Sequence, residues 1–507
     1  MNWFKKAQSL SVRLTPEEES IFALIRASRD AYAKGVSLRV AGGWVRDRVM
    51  GKLSDDIDIA VSGGDGIRIA DAVGAYDRAN GLGRTGKPYS VSLEKGGESS
   101  GLRVGAVDID GVKVEFVPMR TESYRGDSRV PSMVPSDSHV EDAKRRDLTI
   151  NAMYYNIDSG EIEDPTGGMR DLKMKILRTP DEPVKTLVED PLRALRALRF
   201  LSKMDDFKLD EGLRSAIEHA SVHSAYGEKV APERARKELE GMAKGSDPAS
   251  AIDALLRSGL YKKVFAEPRL DGFKPITMGQ NNPHHDLNLI DHTVAVVRNM
   301  NELMKQEGYS EHDRMLAVLA SMFHDFGKMD PSCEKPSRST PGASSYPGHE
   351  DISADIAESV LKRLGFGAER STVAKIVQEH MRAHGQMETP KAMGKYLRDL
   401  GDLWHIVMLH GKADAMGKGG GGDQEELRAK DGRIGQMREF MNQRGERASK
   451  PLLGGRDLMQ LFPDRDPKTG FIKDMTATLL EAQDTGEVHD KNSAIEYLKR
   501  RFGGGGS

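Results

Sequence analysis

Cysteine is almost absent: Cys333 stands alone in 507 residues. That excludes a disulfide framework and any cysteine zinc cluster. Net charge is scarce as well, since 75 Lys and Arg against 78 Asp and Glu leave −3. No global positive charge draws the chain onto nucleic acid, so an anionic partner must be held by local patches. No apolar run approaches the roughly 18 residues of a membrane span, and no membrane partner is expected. The opening MNWFKKAQSLSVRL has no apolar core of a secretory signal, which makes cytoplasmic residence the expectation. The closing GGGGS resembles a linker remnant and is left out of the fold.

What remains is a globular composition, 38% hydrophobic and 30% charged. At roughly 150 residues per domain the length suggests about three domains. Residues 1–35 read as a helical segment, with Ile21, Leu24 and Ile25 spaced for one face. Residues 36–168 carry short β-like runs, VSLRVA, DIDIAV and VKVEFV, with an Asp110-Gly111 turn before the last. Residues 169–274 turn helical. Residues 275–416 form a second helical block rich in His and Asp. Residues 417–502 begin with a glycine run read as a flexible connector and end in a helical tail.

RVAGGWVRD predicts strand, tight turn and helix. Gly42 and Gly43 let backbone approach a ligand closely, and the helix start aims N–H groups at an anion, with Arg46 nearby. In DDIDIAV, alternation puts Ile57, Ile59 and Val61 on a core face and Asp56 with Asp58 on the other. Two carboxylates this close repel unless a cation holds them. Hard oxygen donors suit Mg²⁺, which pairs carboxylates with substrate phosphates. In VKVEFV the same alternation points Lys113 and Glu115 together, so Glu115 offers a third carboxylate. Three such groups around two Mg²⁺ ions are the apparatus of phosphoryl or nucleotidyl transfer. An isolated D-x-D is more often the solvated face of a strand; the glycine turn upstream shifts the balance.

GG-x-VRD-x-x-x-G followed by D-x-D resembles the nucleotidyltransferase superfamily. AKRRDLTINAM, EDPTGGMRDL and EDPLRALRALRF come after it in order, and the set resembles class II tRNA CCA-adding enzymes and the related bacterial poly(A) polymerases. PLLGGRDLM and GEVHDKNSAIEYLKR in the tail extend the likeness. The resemblance implies an α+β fold: a nucleotidyltransferase head with a mixed β-sheet, then all-α neck, body and HD domain in a seahorse-like chain. It implies that Asp56 and Asp58 bind catalytic Mg²⁺ with Glu115 as third carboxylate. It implies that Gly42, Gly43 and Arg46 meet the incoming nucleotide, and that Arg146 and Asp147 hold triphosphate and ribose.

In EDPLRALRALRF the spacing places Asp190, Arg193, Arg196 and Arg199 on one helical face, with Leu192, Leu195 and Leu198 in the core. In the family this motif is a protein template: Asp190 and Arg193 read C and A, and Arg196 and Arg199 line the pocket. Taken alone it is also an amphipathic helix with a Glu189–Arg193 surface pair. TESYRGDSRVPSMVPSDSHVEDAK, between Arg120 and Arg145, reads as a mobile loop; the family uses a flexible loop here in switching from C to A. Arg145 is equally readable as a surface charge. Glu233 and Arg234 match the family's neck motif, a structural one.

The helical block contains His292, His324-Asp325, His349, His380 and Asp414. This order resembles the HD phosphohydrolase domain. The resemblance implies that His292, His324, Asp325 and Asp414 hold a divalent transition metal, with His349 and His380 as further ligands of the two-metal variant. His284 and His285 have no assigned role. The expected activity is addition or repair of the 3′-terminal CCA of tRNA from CTP and ATP, releasing pyrophosphate, beside a metal-dependent phosphohydrolase. The alternative on this scaffold is a bacterial poly(A) polymerase, and the balanced charge disfavours it because no long basic tail is present. A catalytically silent RNA-binding protein is the third reading, opposed by the intact Asp56 and Asp58.

Overall fold

The computed structural model describes residues 12–503 apart from 55, 64, 92–101, 124–131, 281–286, 339, 386, 420–422 and 445–449. His284, His285, the last glycines of the 417–422 run and part of the expected mobile loop lie outside the described residues. The chain divides into two compact units, Met1–Ala266 and Glu267–Ser507.

The first unit opens with helix α1, Pro16–Tyr32. Thr15 accepts from the Glu18 N–H while the Glu18 carboxylate accepts from the Thr15 N–H. That reciprocal cap, with Pro16 in the first turn, fixes where the helix begins. The expected face of Ile21, Leu24 and Ile25 is buried, together with Phe22.

The strands are β1 Leu38–Ala41, β2 Ile57–Val61, β3 Tyr89–Val91, β4 Val104–Ile109, β5 Val112–Pro118, β6 Arg120–Ser123, β7 Ser132–Pro135, β8 Tyr154–Asn156 and β9 Ile162–Glu163. Seven of them form one mixed sheet in the order β3-β4-β5-β2-β1-β8-β9, in which only β2 and β5 run parallel. The sequence turns from β1 into helix α2, Gly43–Val49, through Gly42. Helix α3, Gly66–Ala79, crosses over from β2. Its first residue lies directly on the sheet: a Cβ on Gly66 would sit 1.9 Å from the Phe116 carbonyl oxygen. Gly105 of β4 receives that helix start, since a Cβ there would meet the Gly66 carbonyl oxygen at 2.4 Å. Asp110 and Gly111, both at positive φ, close the β4–β5 hairpin as expected.

The segment expected to be a mobile loop is structured where it is described. β6 and β7 pair antiparallel, and helix α4, His139–Lys144, comes next with Ser138 as its cap. Polar composition hid this hairpin, because its strands are short and rich in Ser and Pro.

Helices α5 Gly168–Met174, α6 Pro183–Glu189, α7 Leu192–Lys203, α8 Glu211–Glu218, α9 Ala220–Lys229, α10 Pro232–Ala243, α11 Pro248–Arg257 and α12 Tyr261–Phe265 complete the unit. Ile176–Leu177 and Lys208–Leu209 add a short parallel pair among them. Leu192, Leu195 and Leu198 of α7 are buried as the spacing requires.

The second unit is helical: α13 Leu289–Gln306, α14 Glu311–Phe323, α15 His349–Leu364, α16 Glu369–Glu379, α17 Pro390–Leu400, α18 Trp404–Met416 and α19 Gln424–Arg444. A single turn at Phe326–Met329 succeeds α14, and another at His380–His384 succeeds α16. A closing group of α20 Gly455–Leu461, α21 Phe471–Asp484 and α22 Lys491–Phe502 packs around Leu458, Phe471, Met475, Leu479 and Leu498. No helix among the described residues is long and apolar enough to cross a membrane.

Candidate active site and metal centre

The parallel pairing of β2 with β5 sets Asp58 directly opposite Glu115. Period-two alternation sends both side chains to the same face, away from buried Ile57, Ile59, Val114 and Phe116. Lys113, on that face too, pairs with Glu115 at 2.5 Å. Asp56 is exposed and precedes the strand, which begins at Ile57. Asp58 keeps solvent contact, but crowding by neighbouring groups desolvates its carboxyl and pushes its pKa up; the Glu115 and Asp56 charges add to this, and Arg146 and Lys113 offset only part of it. Uncompensated negative charge on oxygen donors is the electrostatic requirement of a divalent cation such as Mg²⁺. The three carboxylates do not close within the 4.8 Å that separates the donors of the histidine clusters in the second unit.

The glycine turn borders this face. Gly42 has φ +72°, and a Cβ there would lie 3.3 Å from Arg146 Nη1. The Arg146 guanidinium therefore approaches a bare backbone. It donates to the Tyr154 hydroxyl at 3.1 Å, the Asn151 carbonyl at 3.3 Å and Asp142 Oδ2 at 3.2 Å. Burial opposes ionisation of Asp142, but Arg145, Arg146 and the Tyr154 hydroxyl hold its carboxyl well below the usual range. Arg46, on α2, donates to Asn151 Oδ1 at 2.6 Å and lies 5.2 Å from the Phe200 ring centroid. Arg145 is no simple surface charge: it donates to Asp142 at 2.8 Å and to the Arg120 carbonyl at 3.1 Å.

Asp147 is buried and saturated. Its Oδ1 accepts from the Leu148 N–H and from Asn151 Nδ2, and its Oδ2 from Arg196 Nε at 2.9 Å. Burial would raise its pKa, but the Arg196 charge and these donors lower it. One turn further along α7, Arg199 lies 2.9 Å from the buried Glu238 on α10 and 5.5 Å from the Phe200 ring.

One expectation needs correction. Asp190 does not share a helical face with Arg193. It is the extended residue that ends α6, and α7 starts only at Leu192. Pro191 caps the new helix and separates the two, because the residue before a proline avoids helical backbone. Arg193 is buried and donates to the carbonyls of Thr186 at 3.1 Å and Arg145 at 2.7 Å. Asp190 is 3.8 Å from Arg234, and Arg193 is 4.0 Å from Glu189. Sequence reasoning also passed over Asp142, Asn151, Tyr154, Phe200 and Glu238 as site residues. Asp142 precedes Arg146 by one helical turn, a spacing that was available as a signal.

The second unit gathers the six expected metal-binding residues. His292 comes from α13, His324 and Asp325 from the end of α14, His349 from α15, His380 from the end of α16 and Asp414 from α18. All six are buried. Two groups of donors form, His292 with His324 and Asp414, and Asp325 with His349 and His380, each converging within 4.8 Å. Asp325 links them: Oδ2 lies 3.3 Å from His292 Nε2 and 3.2 Å from His324 Nε2, whereas Oδ1 lies 3.1 Å from His349 Nε2. Asp414 Oδ1 is 2.9 Å from His292 Nε2.

Every histidine of the four turns its other ring nitrogen to a main-chain carbonyl. The Nδ1 partners are Gly417 O at 2.9 Å for His292, Ser321 O at 2.8 Å for His324, Tyr346 O at 2.7 Å for His349 and Val377 O at 2.6 Å for His380. A carbonyl can only accept, so Nδ1 carries the proton and Nε2 is left as a metal donor. Burial works against a charged His324, but Asp325 and Asp414 draw positive charge to its Nε2, the position a cation would take. His380 is held well below its ordinary value by burial and by His349, His324 and His410 around it. Donor set, burial and tautomer thus fit two divalent cations. Gly417 is correspondingly no loose connector, since its carbonyl serves His292 and a Cβ on it would meet Val296 at 2.8 Å. His410, one turn before Asp414 on α18, was also missed; its ring lies 5.1 Å from that of His324.

The amino-terminal unit thus sets paired strand carboxylates behind a glycine turn on a mixed sheet, in one chain with a histidine–aspartate centre. Residues 38–178 match the poly A polymerase head domain, and residues 289–415 match the HD domain. The tRNA nucleotidyltransferase cca2 of Schizosaccharomyces pombe is 35% identical over 244 residues, 47% of this chain and 50% of that one. The A-adding tRNA nucleotidyltransferase of Deinococcus radiodurans is 27% identical over 379 residues, 72% of this chain and 80% of that one. The chain spans about half the length of the fungal relatives it matches. The solved structure of a CCA-adding enzyme in its apo form II superposes with a TM-score of 0.63 at 19% identity, covering 97% of each chain. At that identity the likeness establishes the fold.

Proposed function

We propose that this chain is a tRNA nucleotidyltransferase that adds or repairs the 3′-terminal CCA from CTP and ATP. The observation that carries the reading is Asp58 set opposite Glu115 in parallel register, beside the Gly42 turn and the Arg146 guanidinium. Asp56, Asp58 and Glu115 would hold Mg²⁺, which when bound supplies charge neutralisation and activation of the attacking hydroxyl. In the reaction the RNA 3′-hydroxyl attacks the α-phosphorus, a P–O bond forms, the α–β bond breaks and pyrophosphate leaves. The chain's own groups bind and orient. Gly42, Gly43 and the start of α2 offer bare N–H groups to phosphate oxygens, and Arg46 and Arg146 supply charge beside them. Asp147 and Arg196 brace each other, and a ribose contact at Asp147 would require one of its present donors to yield. Arg199 extends that wall. Asp190 and Arg193 remain the base-selecting pair of this proposal; Arg193 would have to exchange a carbonyl for a base edge. The head spans 36–168 and the helical neck and body 169–274.

Extension of tRNA transcripts ending before CCA, after C and after CC tests the proposal, with Mg²⁺ and CTP, ATP or both. Stopping at CCA on all three supports it. An open-ended A ladder means poly(A) polymerase, and A-only or CC-only products mean divided labour.

A second reading rests on the two donor groups joined by Asp325. The HD unit, 275–416, would bind two divalent transition-metal ions and hydrolyse a phosphoester. Loss of phosphoester hydrolysis in Asp325→Asn, with tRNA extension intact, is the expected result.

A further inference from the structure

The segment after residue 416 sends one side chain back to the histidine cluster. Lys430 lies on α19, beyond the 289–415 match, and is 4% exposed. Its ammonium donates to the Ala383 carbonyl at 3.0 Å. Ala383 belongs to the single turn that starts at His380. On the other side the ammonium lies against α18: a Cβ on Gly411 would stand 3.4 Å from Nζ, so the glycine leaves it room. The Asp414 charge attracts it, although burial is the larger effect and pushes its pKa down to about 8. The rest of α19 is docked along α18 independently. Lys412 pairs with Asp431 at 2.5 Å, Lys418 with Glu426 at 2.9 Å, and Arg438 approaches His405 Nε2 at 2.9 Å. A buried ammonium is costly unless it is hydrogen-bonded and charge-compensated. Surface packing of α19 alone calls for no lysine at this position.

We infer that Lys430 is a positioning residue of the HD metal centre, holding the turn that carries His380 against the helix that carries Asp414. The two donor groups then keep their spacing through a helix outside the HD domain itself. This rests on the metal-centre reading of the two donor groups. Outer partners of metal ligands commonly change metal affinity by ~10–100-fold when removed.

Mn²⁺ titration of the full chain monitored by electron paramagnetic resonance tests it, in an Asp56→Asn, Asp58→Asn background that removes the head's carboxylates. The parent should bind two ions per chain. Lys430→Met, close in length and suited to a buried site, should weaken at least one ion by ~10-fold or more with little change in melting temperature. Lys430→Gln, which keeps an N–H donor for Ala383, should recover most of the affinity. Asp431→Asn, which breaks the neighbouring pair on the same helix, should leave both ions unaffected. Unchanged binding in Lys430→Met overturns the inference, as does equal weakening in Asp431→Asn or no recovery in Lys430→Gln. A parent that binds no Mn²⁺ overturns instead the metal-centre reading.

Discussion

Desolvation and then the like charges of Glu115 and Asp56 push the proton affinity of Asp58 up. A neutral isostere removes the charge without removing the volume. Asp58→Asn is therefore expected to lower nucleotide incorporation by at least ~10³-fold, on the scale of lost electrostatic stabilisation in a preorganised site. Its melting temperature should hold or rise. Rapid-quench incorporation and calorimetry on the same preparation check both halves. Glu18 behaves oppositely. Burial opposes its charge, but Arg48, the Thr15 N–H and the Trp44 indole N–H lower its pKa from 4.5. A depressed carboxylate contributes stability above its unfolded pKa and loses it as pH falls through the folded value. Glu18→Gln should cost about 1–3 kcal/mol at pH 7, and the deficit should shrink below pH 4.5. Urea denaturation across pH 3–7 measures it; a pH-independent deficit would contradict the ionic account.

Elements were legible in the sequence to the degree that their signals were local. The β1–turn–α2 unit and the β4–β5 hairpin come from alternation and glycine placement, and the α1 face comes from its apolar spacing. The β6–β7 hairpin did not, because Pro and Ser conceal strands that only pairing stabilises. Asp190 was misplaced for a related reason: three-residue spacing looked helical across a proline that ends one helix and starts another. Tyr154 was invisible as a partner of Arg146, since their meeting depends on β8 lying beside β1, whereas Asp142 stood one local turn away and was simply passed over. Gly417 and Lys430 were hidden by composition, a glycine run and a charged helix that ordinarily mark solvent. At this scale the close seating of α3 is the sharpest test. Gly66→Ala forces a methyl into the Phe116 carbonyl and should destabilise the head by about 1–3 kcal/mol or more, read as a lowered urea midpoint. An unchanged midpoint would show that the helix start can lift off the sheet freely.

Across the whole chain, the two candidate sites are built from separate sets of residues. The head's carboxylates come from adjacent strands, and the second unit's donors from five helices. Asp325→Asn should abolish transition-metal binding and leave CCA extension within about two-fold, because sites that share no partners act independently. Asp58→Asn should leave the transition-metal content untouched. Metal analysis alongside extension assays resolves the two, and loss of both functions in either variant would join them.

The four imidazoles lean on main-chain carbonyls rather than on side chains. Three of those carbonyls lie three residues before their own histidine, so each ring is oriented by the turn that presents it. No point substitution of a partner can undo a bond to the backbone. The choice of tautomer is inherited with the fold and has no residue of its own to mutate. It should also be audible without any metal: four ring protons, sheltered from water and tied to carbonyl oxygen, should give slowly exchanging proton resonances far downfield.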